Sequence, residues 1–293
     1  MEHFLENWKP KWNSFKESMY LLAKNKLSLL AFAIIILLLA GAISAPFIVP
    51  YPEDVYSTHI ESKLQPPSEE HIMGTDDLGR DVFSRVVYAT RVSISTALVA
   101  VGVALLIGIP LGAIAGVFGG WIDNVIMRIT DIFLSFPPLL LAIALVALLG
   151  SGLTNAIIAI VVSWWPWYTR LVRGQAVSIK ERKFVQAAET IGTSKAKIIF
   201  KHIIPNCISP VIVQASMDIG GVIMTVASLS FLSLGAQQPT PEWGLMISEG
   251  RAFFPDKWWC CIFPGIAIFL TVLSFNLLGD AIREILDPKT RKR

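Results

Sequence analysis

The sequence predicts an all-α, polytopic membrane protein with six transmembrane helices. Hydrophobic residues make up 54% of the 293 positions and charged residues only 16%, against about 25% charged in an ordinary soluble domain. The apolar residues are gathered into runs with few charges. Several of these runs reach the length of about 20 residues that a helix needs to cross a bilayer core about 30 Å thick.

The first run covers residues 27–52 and contains the first predicted transmembrane helix, residues 27–50. A cleaved signal peptide is the alternative, because the stretch AISA at 42–45 is similar to a cleavage site. The 26 polar or mixed residues before the run favour an uncleaved anchor.

The second run, residues 92–121, carries small residues at steps of four, which lie on one face of a helix. Such a face lets another helix approach closely in lipid, so we expect a packing seam. A phosphate-binding loop is excluded, because the spacing is helical and no Lys-Ser or Lys-Thr follows. The small residues are Ala104, Gly108, Gly112, Gly116 and Gly120.

Three further runs complete the count of six. The 38 uncharged residues at 132–169 are too long for one span, and Gly150-Ser-Gly152 predicts a tight turn between two helices. The fifth run, 203–241, is interrupted only by Asp218, and the sixth covers 258–279.

The distribution of basic residues predicts the topology. If both termini are cytoplasmic, 19 of the 25 Lys and Arg residues lie on the cytoplasmic side, as the positive-inside rule requires. Residues 1–26, 170–206 and 281–293 are then cytoplasmic, and residues 51–91 form an outer loop. The three cysteines and four histidines show no metal-ligand spacing, so we expect no metal site.

The longest cytoplasmic connection, residues 170–206, is predicted to contain two short helices. An apolar stripe predicts helix over 178–190, and a second helix is expected over 195–202. Gly192 is the expected stop of the first helix, Ser194 is the expected N-cap of the second, and Pro205 is expected to end it.

This connection resembles the "EAA" loop of binding-protein-dependent ABC importer permeases, through QAAETIG at 186–192 and HIIPN at 202–206. In that family the loop forms a coupling helix that docks in a groove of a cytoplasmic ATPase. The family's first position is usually Glu and is Gln186 here. The implied coupling residues are Gln186, Ala187, Ala188, Glu189, Gly192, Ile204 and Pro205.

A second resemblance lies in the predicted outer loop, where HIMGTDDLGRD at 71–81 is similar to C-type permeases of dipeptide, oligopeptide and nickel importers. PTPEWG at 239–244 and NLLGD at 276–280 resemble the same subfamily. Capping of the second span is the alternative role for the three aspartates. The implied contact residues for a binding protein are Gly74, Thr75, Asp76, Asp77, Gly79, Arg80 and Asp81.

The resemblance implies a type I ABC importer permease fold, with residues 92–280 as its permease domain. It also implies a homologous permease as partner, two cytoplasmic ATPases, an external binding protein and a location in the bacterial inner membrane. ATP and Mg²⁺ would be bound by the ATPases and no cofactor by this chain, which has no P-loop sequence. Peptide is the expected cargo, and nickel or a metal chelate is the alternative.

Asp218 stands alone in the fifth run, with Gln214 one turn before it. A carboxylate in hydrocarbon is costly, so it should face the helix bundle or an aqueous path. It either lines the pathway or pairs with a residue of the partner subunit. A secondary transporter is disfavoured because no internal repeat is seen, and an intramembrane enzyme because no catalytic motif is present.

Overall fold

The computed structural model describes residues 25–286, and helices dominate this part of the chain. The all-α prediction is confirmed. Most of the predicted terminal segments, 1–24 and 287–293, lies outside the described residues. The helices are α1 Lys26–Ile48, α2 Val82–Phe118, α3 Gly120–Leu134, α4 Pro138–Leu149, α5 Leu153–Lys180, α6 Lys183–Thr190, α7 Lys195–Phe231, α8 Trp243–Gly250 and α9 Trp259–Leu286.

Four of these helices, α1, α2, α7 and α9, are long and apolar enough to cross a membrane. The bent pair α3 and α4 makes a fifth if it counts as one span. Length and composition therefore support four or five spans in residues 25–286, where the sequence predicts six. The predicted span that is not among these four or five is α5, whose second half carries Arg170, Arg173 and Lys180.

Helix α2 begins ten residues before the predicted span. The Asp81 carboxylate accepts a hydrogen bond from the Ser84 amide at 2.7 Å, which caps the helix at Val82 rather than near Val92. With 37 residues, α2 is about 55 Å long. That length exceeds a bilayer core of about 30 Å, so the helix projects beyond it. The last part of the predicted outer loop 51–91 is therefore helical.

The prediction that a transmembrane helix starts at residue 132 is wrong, because the chain bends sharply a few residues later. Helix α3 ends at Leu134, α4 starts at Pro138, and the two axes meet at 87°. Pro137 and Pro138 explain the break, because proline cannot donate a backbone hydrogen bond and disfavours helix in the residue before it. The turn predicted at 150–152 is confirmed, with positive φ at Gly150 and Gly152.

Helix α5 continues eleven residues past the predicted span end at Thr169. The Arg173 guanidinium donates from Nε and Nη2 to both carboxylate oxygens of Asp123 in α3, at 3.0 and 2.6 Å. Arg170 of α5 pairs with Asp131, which is also in α3. Because α3 supplies carboxylates beside this part of α5, the charged turns remain helical, and the predicted connection 170–206 begins inside a helix.

Three glycines of α2 lie against α5 along its length. A β-carbon on Gly108 would come 2.6 Å from Cβ of Tyr168, one on Gly112 2.5 Å from the Thr169 carbonyl oxygen, and one on Gly116 2.5 Å from Cβ of Ala176. We call this contact the α2–α5 seam. It ends at Gly116, because Gly119 has a φ of +63° and Gly120 belongs to α3.

Gly112→Val is expected to destabilise the protein by about 1–3 kcal/mol, since the added carbons overlap the α5 backbone. Gly102→Val is the matched control in the same helix, because a β-carbon there meets no atom within 4 Å. The measurement is the temperature at which half of the purified protein loses its monodisperse elution peak. Equal midpoints for the two variants would contradict the seam.

Candidate functional site

The hairpin formed by α6 and the start of α7, residues 183–203, contains five of the seven predicted coupling residues, and the other two, Ile204 and Pro205, follow it directly. Gly192 has a φ of +81°, a conformation that favours glycine. The amides of Gly192 and Thr193 donate to the carbonyls of Glu189 and Ala188 at 2.9 and 3.0 Å, which closes the end of α6. Ser194 then accepts a hydrogen bond from the Lys197 amide at 3.4 Å and caps α7.

Helix α6 has one face against its own chain and one face exposed. Val185 and Ala188 are buried, whereas Gln186, Ala187 and Glu189 are exposed. The two alanines therefore differ: Ala188 is part of the packing within this chain, and Ala187 remains available to a partner.

The hairpin is fixed to the helices below it through an apolar cluster. Ile198 and Ile203 of α7 and Val185 of α6 are buried in the same cluster as Val172 and Ala176 of α5. Such close-packed contacts make the hairpin and α5 behave as one body.

Pro205 does not end the second short helix, which corrects the prediction. The chain continues through a wide π-type turn at Ile199–Ile203 into helix Ile204–Phe231. Pro205 lies in the first turn after this irregular segment, where its missing N–H costs least. Ile204 is half-buried beside an apolar cleft.

The predicted outer-loop residues form a buried ion-pair network with α2 and α8. Arg80 donates from Nε to Asp76 Oδ2 at 2.7 Å and from Nη2 to Glu249 Oε2 at 2.9 Å. Arg85 Nη2 lies 3.4 Å from the same glutamate oxygen. Both arginines are fully buried. Asp76, Arg80, Arg85 and Glu249 are called the outer network below.

The outer network does not fit a cation site. Asp76, Asp77 and Glu249 bring carboxylate oxygens within 4.8 Å of one another, a spacing that suits a metal ion. The guanidinium groups of Arg80 and Arg85 already neutralise two of these carboxylates. A metal would have to be bound beside two buried positive charges, which electrostatics disfavours.

Two glycines shape the outer loop by close backbone approach. Gly74 and Gly79 have φ values of +73° and +75°, and a β-carbon on either would overlap a carbonyl oxygen, that of Gln65 or His59. The Thr75 carbonyl accepts a hydrogen bond from Trp259 Nε1 of α9 at 3.1 Å. The glycines let the loop fold closely on itself, and the hydrogen bond from Trp259 holds it against α9.

Of the three aspartates in the outer loop, Asp76 and Asp81 accept hydrogen bonds within this chain, whereas Asp77 has an oxygen that accepts none among the described residues. Asp81 caps α2 and contacts His71 Nδ1 at 2.9 Å, and Asp76 accepts from the Leu78 and Arg80 amides at 2.9 Å. Asp77 has a buried oxygen with no hydrogen-bond partner among the described residues. Burial raises the pKa of the Asp77 carboxyl, and the Asp76 carboxylate adds to the effect.

The two residues predicted for the translocation pathway, Asp218 and Gln214, lie together on α7. Gln214 Nε2 donates to Asp218 Oδ1 at 3.0 Å. The Tyr168 hydroxyl of α5 lies beside Asp218 without a well-aligned hydrogen bond. Gln214 is exposed, whereas Asp218 is half-buried and its Oδ2 atom is buried without a hydrogen-bond partner among the described residues, so the pair lies at the edge of this chain's packing.

Family comparison matches two segments of the chain. Residues 108–292 match the family described as binding-protein-dependent transport system inner membrane component. Residues 14–67 match the N-terminal transmembrane domain of oligopeptide transport permease C. The chain belongs to the binding-protein-dependent permease family. It is a multi-pass inner-membrane permease subunit.

Curated relatives cover nearly the whole chain. A dipeptide transport system permease of Alkalihalophilus pseudofirmus is 46% identical, over 94% of this chain and 90% of the relative. A probable D,D-dipeptide permease of Escherichia coli K12 is 47% identical, over 92% and 90%. A glutathione transport permease of Pectobacterium atrosepticum is 42% identical, over 97% and 92%.

A solved structure supports the fold. A chain of the MetNI methionine ABC transporter, in an inward-facing conformation, superposes with a TM-score of 0.56 at 17% identity. The match covers 69% of this chain and 97% of that chain. At this identity the likeness shows the permease fold alone.

Sequence reasoning did not place Arg85, Glu242 and Glu249 in the site. Glu242 is buried and caps α8 by accepting from the Leu245 amide at 2.9 Å. Arg85 and Glu249 are separated by 164 residues, so only the fold brings them together. All three lie outside the apolar runs, where a charged residue is ordinary, so the local sequence carried no signal for their burial.

Asp76→Asn is expected to lower stability by about 3–5 kcal/mol, because it leaves buried arginines without their partner. Asp77→Asn should leave stability unchanged or raise it. The pKa of the Asp77 carboxyl is raised in the folded protein, so the folded state loses stability as pH rises through that pKa. An uncharged Asn at this position avoids that loss.

Heating of both variants at pH 7, followed by size-exclusion chromatography, measures the difference. An equal loss of stability for Asp77→Asn and Asp76→Asn would show that the two carboxylates do not have the distinct environments described.

Proposed function

We propose that the chain forms one half of the transmembrane pathway of an ATP-driven peptide importer and is coupled to a cytoplasmic ATPase through α6. The observation that carries this proposal is the exposed Ala187 face of α6, presented by the Gly192 turn. A small residue on an exposed, well-anchored helix suits close docking into a groove of a partner. The buried Val185 and Ala188 on the opposite face would pass movement to α5.

Peptide cargo is supported by the curated relatives. These relatives are named as permeases for dipeptides, D,D-dipeptides and glutathione, all of which are short peptides. For this chain we propose a peptide of similar size.

The proposed assembly contains a homologous permease, two ATPase subunits and an external binding protein. ATP and Mg²⁺ would be bound by the ATPases, because this chain carries no P-loop sequence. The outer loop, held by the outer network, is the proposed contact for the binding protein.

We propose that the hairpin is cytoplasmic and the outer loop extracytoplasmic, since 19 of 25 basic residues then lie inside. In a cysteine-free background, Glu69→Cys should react with a membrane-impermeant maleimide in intact cells. Thr193→Cys should react only after permeabilisation. The opposite pattern would invert the topology.

Asp218 is proposed to face the pathway formed with the partner permease, because it lies at this chain's surface within α7. Asp218→Asn keeps the volume and removes the charge. We expect normal assembly with slower transport, or a changed preference between cationic and neutral peptides. Reduced assembly would instead indicate an ion pair with the partner, and normal values for both would remove Asp218 from the pathway.

Coupling is tested by Ala187→Trp and Gly192→Val. The tryptophan blocks docking, and valine strains a position with a φ of +81°. We expect normal membrane abundance and loss of the co-purifying ATPase for both. Ala187→Ser keeps the small volume and is the matched control. Transport at the normal rate by both variants would refute coupling through α6.

A further inference from the structure

An apolar cleft opens between the end of α2 and the start of α7. It has a volume of about 190 Å³, and its walls include Ile114 and Phe118 of α2 and Ile199 and Phe200 of α7. Phe200 is 70% exposed. The π-type turn at Ile199–Ile203 forms part of one wall, and such turns are frequent at functional sites.

The cleft lies at one end of α2, a helix long and apolar enough to cross a membrane. Helix α2 ends at Phe118, and the charged run Lys180–Lys183 follows α5 at the same end, where the Lys180 ammonium donates to the Val117 carbonyl at 2.9 Å. An apolar opening at this depth faces the boundary between acyl chains and headgroups.

The rim of the cleft is basic. The ammonium of Lys195 lies 4.9 Å from the centroid of the Phe118 ring, which lines the cleft. Lys197 and Lys201 are exposed in the same segment of α7. Neither wall offsets this charge, because residues 82–118 and 190–217 contain no Asp or Glu.

We propose that the cleft binds an anionic phospholipid, with an acyl chain between Ile114 and Phe200 and the phosphate at Lys195. The apolar walls match the acyl chain and the basic rim matches the phosphate. A protein segment with apolar and acidic side chains would match the same surface, and the lipid-binding test below separates the two occupants. The site assignment does not depend on the proposed coupling or cargo, since it uses only the membrane depth and the charge of the cleft.

Native mass spectrometry of the delipidated full-length chain tests the proposal, with phosphatidylglycerol and phosphatidylcholine of identical acyl chains as probes. The wild type should bind phosphatidylglycerol saturably and more tightly. Lys195→Gln should weaken this binding about five-fold, because one lysine near a lipid phosphate contributes on that order. Lys257→Gln is the matched control, since this ammonium also lies over an aromatic ring, 5.4 Å from Trp259, at the other end of the fold.

A second variant tests the apolar part. Ala196 lines the cleft and is exposed, so Ala196→Trp should fill it and abolish saturable binding. If that variant elutes as aggregate, Ala196→Leu replaces it. Equal binding of the two lipids by the wild type, or wild-type binding by both Lys195→Gln and the filled variant, overturns the proposal. A dimer of the chain without bound lipid, observed in the same spectra, would overturn the proposal as well.

Discussion

Close contact between α2 and α5 determines how the rest of the permease is arranged. The glycines of the α2–α5 seam leave no room for side chains, so the two backbones touch along about two helical turns. In lipid, helix association rests on such packing rather than on the hydrophobic effect. Because α2 carries the outer network at its start and α5 carries the hairpin at its end, the seam joins the two candidate sites physically.

The outer network complements the seam by fixing the other end of α2. Two fully buried arginines are costly to desolvate, and the network offsets that cost only because Asp76 and Glu249 are both positioned to receive them. The acceptors come from different parts of the chain, one from the outer loop and one from α8. Burying these charges therefore specifies how the loop, α2 and α8 meet, in addition to any contribution to stability.

The sequence predicted well those features that depend on local chemistry. The turn at Gly150–Gly152, the left-handed Gly192 and the Ser194 cap each follow from a residue whose backbone preference is strong. It failed where distant residues decide the structure. Asp123 and Asp131 of α3 keep α5 helical past Thr169, and no local pattern around Arg170 shows those partners.

The candidate site divides in the same way. The hairpin residues were recognisable because they are contiguous, although their exposed and buried sides were not: Ala187 and Ala188 are adjacent and face opposite environments. The outer aspartates were recognisable as a motif, but only the fold shows that Arg80 pairs with Asp76 rather than Asp77. The other two members of the outer network, Arg85 and Glu249, come from α2 and α8. Pro137 and Pro138 carried a readable signal for the bend after α3, which the uncharged length of the run obscured.

Coupling in this fold need not travel through a flexible loop. The buried face of α6 packs in one cluster with α5, and α5 packs on α2 along the seam, so a displacement of α6 would move close-packed helices as a body. A body of this kind reorients by rotation against a neighbour rather than by internal bending. Asp218 and Gln214 lie at the chain's surface, so the element that rotates past them is expected to belong to the partner permease. On this view the pathway opens between subunits, and the seam within each subunit remains closed.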